Sequence, residues 1–138
     1  MEDFNVVLVE DAGIVANDID QTITEAGFRM VDKFSSGEQA LEQLDEANPD
    51  LVLMDIQLSG ELDGIETTEK IEESYSVPVV FLTAYSNPDT IERARETGAV
   101  AYLVKPLDKD DLDSIIHWIQ SGKEGASPKI ERGEMLQE

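Results

Sequence analysis

Short apolar runs alternate with segments of helical period along most of this chain, and this alternation limits the fold more than any other feature. Between the runs, apolar residues recur every three or four positions, as Val15, Ile19 and Ile23 do. Such alternation predicts βα units and a parallel sheet. With right-handed crossovers, five units predict a three-layer α/β sandwich whose five parallel strands have the order 2-1-3-4-5. The predicted strands span residues 6–9, 28–34, 51–54, 79–82 and 100–104.

The residues within each run indicate where some strands lie in the sheet and where some helices begin. The run 51–54 has no polar residue, as expected of a central strand that helices cover on both faces. The run 28–34 alternates apolar and polar residues, which favours a position near a sheet edge. Three helices have predicted N-caps, namely Ser36, Asn87 and Asp108.

Polar side chains follow four of the predicted strands. Glu10 and Asp11 end the first strand, Asp55 the third, Thr83 the fourth and Lys105 the fifth. The carboxyl ends of parallel strands share one edge of a sheet, and open α/β sheets bind ligands there. We therefore expect three carboxylates, a hydroxyl and an ammonium to meet in one crevice, where they suit a divalent cation and a phosphoryl group.

The acids at these strand ends have a simpler alternative interpretation. Taken one at a time, Glu10, Asp11 and Asp55 fit equally well as acids that only cap helix N-termini. Two carboxylates about 4 Å apart repel each other by roughly 4 kcal/mol at an effective dielectric constant of 20. Either a pKa rises or a cation lies between them, and Mg²⁺ suits a few oxygen ligands that leave room for water and phosphate. The predicted order makes the first and third strands neighbours, which favours the cation.

Lys105 and Thr83 each have an ordinary interpretation as well. Lys105 alone would be a solvated surface lysine, and Thr83 alone a loop threonine. At strand ends beside the acids, Lys105 provides a positive charge for an incoming phosphoryl group, and Thr83 a hydroxyl donor. Pro106 follows Lys105, and a cis peptide bond there would fix the loop.

The ordered set Glu10-Asp11, Asp55, Thr83-Ala84 and Lys105-Pro106 resembles the receiver domains of two-component response regulators. The resemblance covers about residues 4–121 and implies a flavodoxin-like (βα)5 fold. It implies that Asp55 accepts a phosphoryl group from the phosphohistidine of a histidine kinase, with Mg²⁺ as cofactor.

The resemblance also implies roles for the surrounding residues. Asp11 and Asp55 would ligate the metal together with the Gln57 carbonyl, and Glu10 would act through water. Thr83 and Lys105 would bind the phosphoryl oxygens.

Tyr102 would be the aromatic switch residue of such a domain. Thr83 would move towards the phosphoryl group and vacate space for Tyr102, so that the face formed by the fourth helix, fifth strand and fifth helix shifts. The alternative for Tyr102 is an edge-strand aromatic residue packed on the last helix.

The loop after Asp55 departs from the family pattern. Many receivers have a proline four residues after the phosphorylated aspartate, whereas this chain has Ser59, and its loop is one residue longer. Gln57 and Tyr85 flank the expected path of water, so we expect them to influence the dephosphorylation rate.

The charge of the chain bears on its partners. The chain has 31 acidic and 10 basic residues, a formal net charge of −21, which repels nucleic-acid phosphates and anionic headgroups. We expect neither direct nucleic-acid binding nor membrane binding. The acidity fits ordinary solubility or adaptation to high salt. The absence of cysteine excludes disulfides and thiolate chemistry.

The remaining features concern organisation and location. We predict one receiver domain over residues 1–121 and a polar tail or the start of a linker over 122–138. No basic leader precedes the first strand and no apolar stretch approaches the length of a membrane span, so a cytoplasmic protein is expected.

The expected partners are a histidine kinase or phosphotransfer protein, and a downstream target protein or effector domain outside this chain. A homodimer that forms on phosphorylation is left open. Such a module is not an enzyme in the usual sense, because it catalyses only its own phosphorylation and dephosphorylation.

Three other functions are weighed against a receiver. A haloacid-dehalogenase-type Mg²⁺-dependent phosphatase also uses Asp and Lys. Enzymes of that class have an Asp-x-Asp motif after the first strand, however, where this chain has Glu10-Asp11-Ala12. A P-loop nucleotide switch is excluded because no Gly-x-x-x-x-Gly-Lys segment exists. A flavin-binding protein of the same topology stays open, although a carboxylate-rich crevice would repel its phosphate.

Overall fold

The computed structural model describes residues 4–84 and 87–137, in which strands and helices alternate. The alternation follows the predicted periods, with apolar strands placed between amphipathic helices. In chain order the elements are β1 Asn5–Val9, α1 Gly13–Glu25, β2 Arg29–Phe34, α2 Gly37–Ala47, β3 Leu51–Asp55, α3 Gly64–Ser74, β4 Val79–Thr83, α4 Pro88–Arg95, β5 Ala101–Val104, α5 Lys109–Gln120 and β6 Gly133–Met135.

The sheet has six strands in the order β2-β1-β3-β4-β5-β6. The first five are parallel, which confirms the α/β class and the predicted order of those strands. The prediction of only five strands was wrong, because β6 pairs antiparallel with β5. Its three residues are too few to show a strand period, and the strand exists because the edge of β5 offers unpaired backbone groups. The boundary at residue 121 stays a prediction.

The sheet separates two layers of core. On one face, side chains of β1 and β3 such as Val7 and Val52 pack with α2, α3 and α4. On the other face, their neighbours such as Val6 and Leu53 pack with α1 and α5. Strand β3 is buried at all five positions, whereas β2 is largely exposed, as predicted for a central strand and an edge strand. The four buried apolar residues of β3 contribute roughly 6–12 kcal/mol, which holds Asp55 at the strand end in a place with little water.

Side-chain caps fix where the helices begin. Ser36, Asn87 and Asp108 each accept a backbone N–H in the first turn of the helix that follows, as predicted. A full capping box at Asp63 and Glu66 starts α3 directly after the loop that follows Asp55. These caps set the ends of the loops that surround the carboxyl edge of the sheet.

Gly64 allows α3 to approach the end of β3. A Cβ there would overlap the Asp55 carbonyl oxygen and lie 2.8 Å from the Ile56 Cα, both backbone atoms. We expect Gly64→Ala to lower the free energy of unfolding in urea by roughly 1–3 kcal/mol, because the backbone must shift.

Gly13→Ala is the matched control, because a Cβ on this first residue of α1 meets nothing within 4 Å. It is expected to keep or slightly raise stability. Equal unfolding midpoints for the two variants would contradict the close approach at Gly64.

Candidate functional site

The carboxyl ends of four parallel strands bring the predicted site residues to one edge of the sheet. Glu10, Asp55 and Thr83 are 4%, 4% and 2% exposed, whereas Asp11 lies at the surface. One carboxylate oxygen from each of Glu10, Asp11 and Asp55 lies within 4.8 Å of the others. The predicted acidic cluster is therefore present, with one open side formed by Asp11.

Lys105 places its ammonium group inside this cluster. Its Nζ is 2.6 Å from Glu10 Oε1 and 3.3 Å from Asp55 Oδ2. The peptide bond between Lys105 and Pro106 is cis, as anticipated. The lysine therefore contacts both buried acids, and its shorter contact is to Glu10.

The surroundings of Asp55 oppose its ionisation. Burial raises the pKa of Asp55 to about 7, and the adjacent Glu10 carboxyl adds to the rise. The Gln57 N–H donates to Asp55 Oδ1 at 3.0 Å, and this bond and the Lys105 ammonium lower the pKa without offsetting the rise. One lysine is thus too little positive charge for two buried carboxylates.

A divalent cation fits this donor set. The three acids offer hard oxygen ligands within reach of one ion, and the exposed side at Asp11 leaves room for water or phosphate, as Mg²⁺ requires. The raised pKa of Asp55 is a second sign that positive charge is lacking there. Gln57, whose carbonyl is a predicted ligand, lies in the loop that follows Asp55, and its side chain is exposed.

Thr83 is joined to the residue that follows β5, whereas Tyr102 lies within β5. The Thr83 carbonyl accepts the Lys105 N–H at 2.8 Å, so the end of β4 and the lysine backbone are joined. Tyr102 is 6% exposed and lies in the core layer that contains Ile91 and Ala94 of α4. The residues of α5 belong to the other core layer, so Tyr102 does not pack on the last helix, which was its alternative interpretation.

Tyr85 lies outside the described residues.

Two contacts of the loop after Asp55 were not anticipated. The Ser59 N–H donates to Asp11 Oδ2 at 3.0 Å, and the Leu62 N–H donates to Glu38 Oε1 at 2.9 Å. A proline at position 59, common in the family, would have no N–H to donate. The departure noted in the sequence therefore has a direct effect on a predicted metal ligand.

Arg132 contacts the backbone of Lys105, and no pattern in the sequence predicts this contact. Its Nη2 donates to the Lys105 carbonyl at 3.0 Å. The residue belongs to the segment predicted as a polar tail, where one arginine among charged residues indicates no partner.

Comparison with known proteins supports one family. The family model described as "Response regulator receiver domain" matches residues 6–117. The chain is 38% identical over 107 residues to transcriptional regulatory protein PdtaR of Mycobacterium tuberculosis, covering 78% of this chain and 52% of the relative. It is 40% identical over 111 residues to transcriptional regulatory protein ZraR of Escherichia coli, covering 80% and 25%. The chain thus spans about half the length of the first relative and less of the second.

Solved structures agree on the fold. The signal receiver domain of a modulated diguanylate cyclase from Desulfovibrio desulfuricans aligns with a TM-score of 0.82 at 29% identity, covering 89% of this chain and 98% of that one. The isolated REC domain of RcsB from Salmonella enterica, solved with the phosphomimetic BeF₃⁻, aligns with a TM-score of 0.79 at 21% identity, covering 88% and 91%. The second likeness, at that identity, bears on the fold alone.

The fold and the site define an α/β protein with an acid cluster and a lysine at the carboxyl edge of its sheet. This chain belongs to the response regulator receiver domain family, whose members act in phosphorelay signalling. The comparisons give no support to the haloacid-dehalogenase alternative. Within the part of the chain that the structure describes, no helix is both long and apolar enough to cross a membrane.

The raised pKa of Asp55 predicts a pH-dependent effect on stability. Folding favours the protonated form of the Asp55 carboxyl, so in metal-free protein the free energy of unfolding falls as pH rises from about 4 to about 7. Below about pH 4 the carboxyl is protonated in the folded and the unfolded protein alike, and the loss is absent. We expect Asp55→Asn to raise the melting temperature at pH 8 by roughly 3–8 °C, and by less at pH 5.

Asp45→Asn is the control for this effect, because Asp45 is an exposed acid on α2. Its melting-temperature difference from the wild type should not change with pH, and Mg²⁺ should shrink only the difference at Asp55. A difference at Asp55 that is equal at pH 5 and pH 8 would contradict the raised pKa.

The Ser59 amide predicts a second measurable effect. We expect Ser59→Pro to tighten Mg²⁺ binding by roughly 3- to 10-fold in isothermal titration calorimetry, because Asp11 Oδ2 no longer accepts the N–H at 3.0 Å. Ser59→Ala keeps that N–H and should bind Mg²⁺ as the wild type does. Equal affinities for Ser59→Pro and Ser59→Ala would show that the amide does not compete with the ion.

Proposed function

We propose that this chain is a phosphoacceptor switch in which Asp55 accepts a phosphoryl group from a phosphohistidine of a histidine kinase or phosphotransfer protein. One observation carries the proposal: the Lys105 ammonium lies 2.6 Å from Glu10 and 3.3 Å from Asp55, within a cluster completed by Asp11. Structural acids that only cap helices have no need of a shared, half-buried lysine.

The proposed step forms one bond and breaks one. An oxygen of the Asp55 carboxylate attacks phosphorus, the P–N bond of the phosphohistidine breaks, and the histidine nitrogen leaves with the electron pair and takes up a proton. The product is an acyl phosphate on a carboxylate nucleophile. Because the Gln57 N–H holds Asp55 Oδ1 and Oδ2 faces Lys105, the carboxylate has a fixed orientation for attack in line.

Asp55 must be ionised to attack. Lys105 favours the ionised form, whereas Glu10 and burial oppose it. Asp11, Asp55 and the Gln57 carbonyl would hold Mg²⁺, with Glu10 acting through water. A bound Mg²⁺ neutralises charge on the phosphoryl oxygens in reactions of this class.

The phosphoryl oxygens would be met by Lys105 and by the Thr83 hydroxyl. Transfer adds about two negative charges to an acidic crevice, so both groups gain a strong partner. Thr83 is joined to the backbone of Lys105, and Tyr102 lies in β5 two residues before Val104. A shift of Thr83 would therefore be followed by β5 and Tyr102, which changes the face formed by α4, β5 and α5.

The same site would reverse the reaction with water. The Gln57 side chain is exposed beside Asp55, so it is placed to influence how water reaches the acyl phosphate. The chain would then catalyse only its own phosphorylation and dephosphorylation, without turnover of a separate substrate.

The output would pass through protein contact. PdtaR and ZraR, which are longer than this chain, are transcriptional regulatory proteins. For this chain we propose a downstream target protein or effector domain outside it, a cytoplasmic location, and pairing of two copies on phosphorylation as one form of output. Direct contact with nucleic acid is not proposed, because the net charge is −21.

Incubation with acetyl phosphate and Mg²⁺ tests the proposal. We expect the intact protein to gain the mass of one phosphoryl group, and chelation of Mg²⁺ or Asp55→Asn to abolish the gain. Asp45→Asn, which changes an exposed acid, should gain it as the wild type does.

Two results would contradict the proposal. One is a mass gain that persists in Asp55→Asn. The other is steady hydrolysis of a small phosphate ester without a stable phosphorylated form, which is the behaviour of a phosphatase.

A further inference from the structure

The outer edge of β5 is covered by the chain's own C-terminal segment, residues 131–136. Strand β6 pairs antiparallel with β5, so that Tyr102 faces Glu134. The Val104 N–H donates to the Arg132 carbonyl at 2.8 Å, and the Leu136 N–H donates to the Val100 carbonyl at 2.8 Å. The edge is therefore closed by backbone bonds of the kind that a partner strand would make.

Two carboxylates anchor this segment. The Asp111 carboxylate, 2% exposed, accepts the Glu131 N–H and the Arg132 N–H at 2.9 Å each. Glu134 contacts Arg95 of α4 at 2.7 Å. The segment is thus recognised through a buried acceptor on α5 and a positive charge on α4.

The hold of the segment on β5 is limited. Strand β6 has only three residues, and its side chains are half-buried or exposed. The ion pair between Arg95 and Glu134 is about half exposed on both sides, so it adds at most about 1 kcal/mol. An edge strand of this kind opens at far less cost than the buried strands β3 and β4.

The covered edge is joined to the site by a short series of bonds. The Thr83 carbonyl holds the Lys105 N–H at 2.8 Å, and the Lys105 carbonyl holds the Arg132 guanidinium at 3.0 Å. The same Arg132 accepts from Val104 through its own carbonyl. A displacement of Thr83 or Lys105 is thus transmitted to Arg132 through the hydrogen bonds of the Lys105 N–H, the Lys105 carbonyl and the Val104 N–H.

From these contacts we infer that the β5 edge is a strand-addition surface. Segment 131–136 occupies it in the unphosphorylated protein and vacates it when Asp55 is phosphorylated. The inference rests on the proposed function, because it names how the output surface of that same site is regulated. As Thr83 and Lys105 turn towards the phosphoryl group, Val104 and the Lys105 carbonyl leave the positions that fit Arg132.

The vacated edge defines the partner that it fits. The partner is a protein that supplies an extended strand, with a carboxylate opposite Arg95 where Glu134 now lies and a small residue where Gly133 lies. A Cβ at Gly133 would overlap the Tyr102 carbonyl oxygen, and the residue has φ of +154°, so glycine suits this place on both grounds.

Gly133→Ala is a variant that should detach the segment, because the added Cβ would overlap the backbone of β5 at Tyr102 and lie 2.9 Å from the Leu103 Cα. Gly133→Ala is expected to expose the amides of Glu131, Arg132 and Leu136 to hydrogen exchange, measured by NMR on the full chain. Gly125→Ala is the matched control, because it adds the same methyl at positive φ, +77°, where nothing lies within 4 Å. Asp111→Asn, which removes one of the two acceptor oxygens, is an independent second variant.

Beryllofluoride with Mg²⁺, a phosphoryl mimic, then measures the coupling in both directions. Its binding to the wild type should increase exchange at the amides of Arg132, Leu136 and Val104. Because coupling between two sites is reciprocal, Gly133→Ala and Asp111→Asn should bind beryllofluoride more tightly than Gly125→Ala, by roughly 5- to 100-fold.

The outcomes separate this inference from the proposed function. If beryllofluoride binds the wild type, but the amides stay protected and all variants bind it equally, the inference is overturned and β6 is a permanent strand that closes the sheet edge. If beryllofluoride and Mg²⁺ do not bind the wild type, or bind Asp55→Asn equally well, the proposed function fails and the inference with it.

Discussion

The contact of one lysine with two buried acids organises this molecule. Lys105 and Glu10 are 95 residues apart in the chain, yet Nζ and Oε1 lie 2.6 Å apart, with Asp55 Oδ2 at 3.3 Å. That meeting requires β1, β3 and β5 to run parallel with their carboxyl ends at one edge, and it requires the apolar β3 to remain fully buried. The two core layers therefore serve the site, because they hold an acid where water cannot fully solvate it.

The charges at this edge of the sheet are not balanced as in a permanent ion pair, and this imbalance suits the edge to phosphoryl transfer. Glu10 and Asp55 share one ammonium group, and burial keeps the pKa of Asp55 raised. The chain as a whole is strongly acidic, with a net charge of −21, so no general positive field relieves this local excess. A divalent cation beside Asp11 would relieve it, and it would also prepare the crevice for the negative charge of a phosphoryl group.

Much of this arrangement was predictable from the sequence because its signals are local. Strand and helix periods set the order of the first five strands, and polar residues at strand ends identified Glu10, Asp11, Asp55 and Lys105. The bond from the Ser59 N–H to the Asp11 carboxylate, and those from the N–H groups of residues 131 and 132 to Asp111, were not predictable, since each joins a backbone N–H to a side chain of a distant segment. Strand β6 was not predicted for the same reason. Its three residues carry no strand pattern of their own, and they form a strand because they pair with the edge of β5.

The most direct measurement locates the acyl phosphate itself. Borohydride reduces an aspartyl phosphate to homoserine, so phosphorylated protein that is reduced, digested and sequenced by mass spectrometry carries a mark at the acceptor. We expect homoserine at position 55 and at no other aspartate. Homoserine at Asp11 or at an acid outside the cluster, with position 55 unmodified, would contradict this expectation.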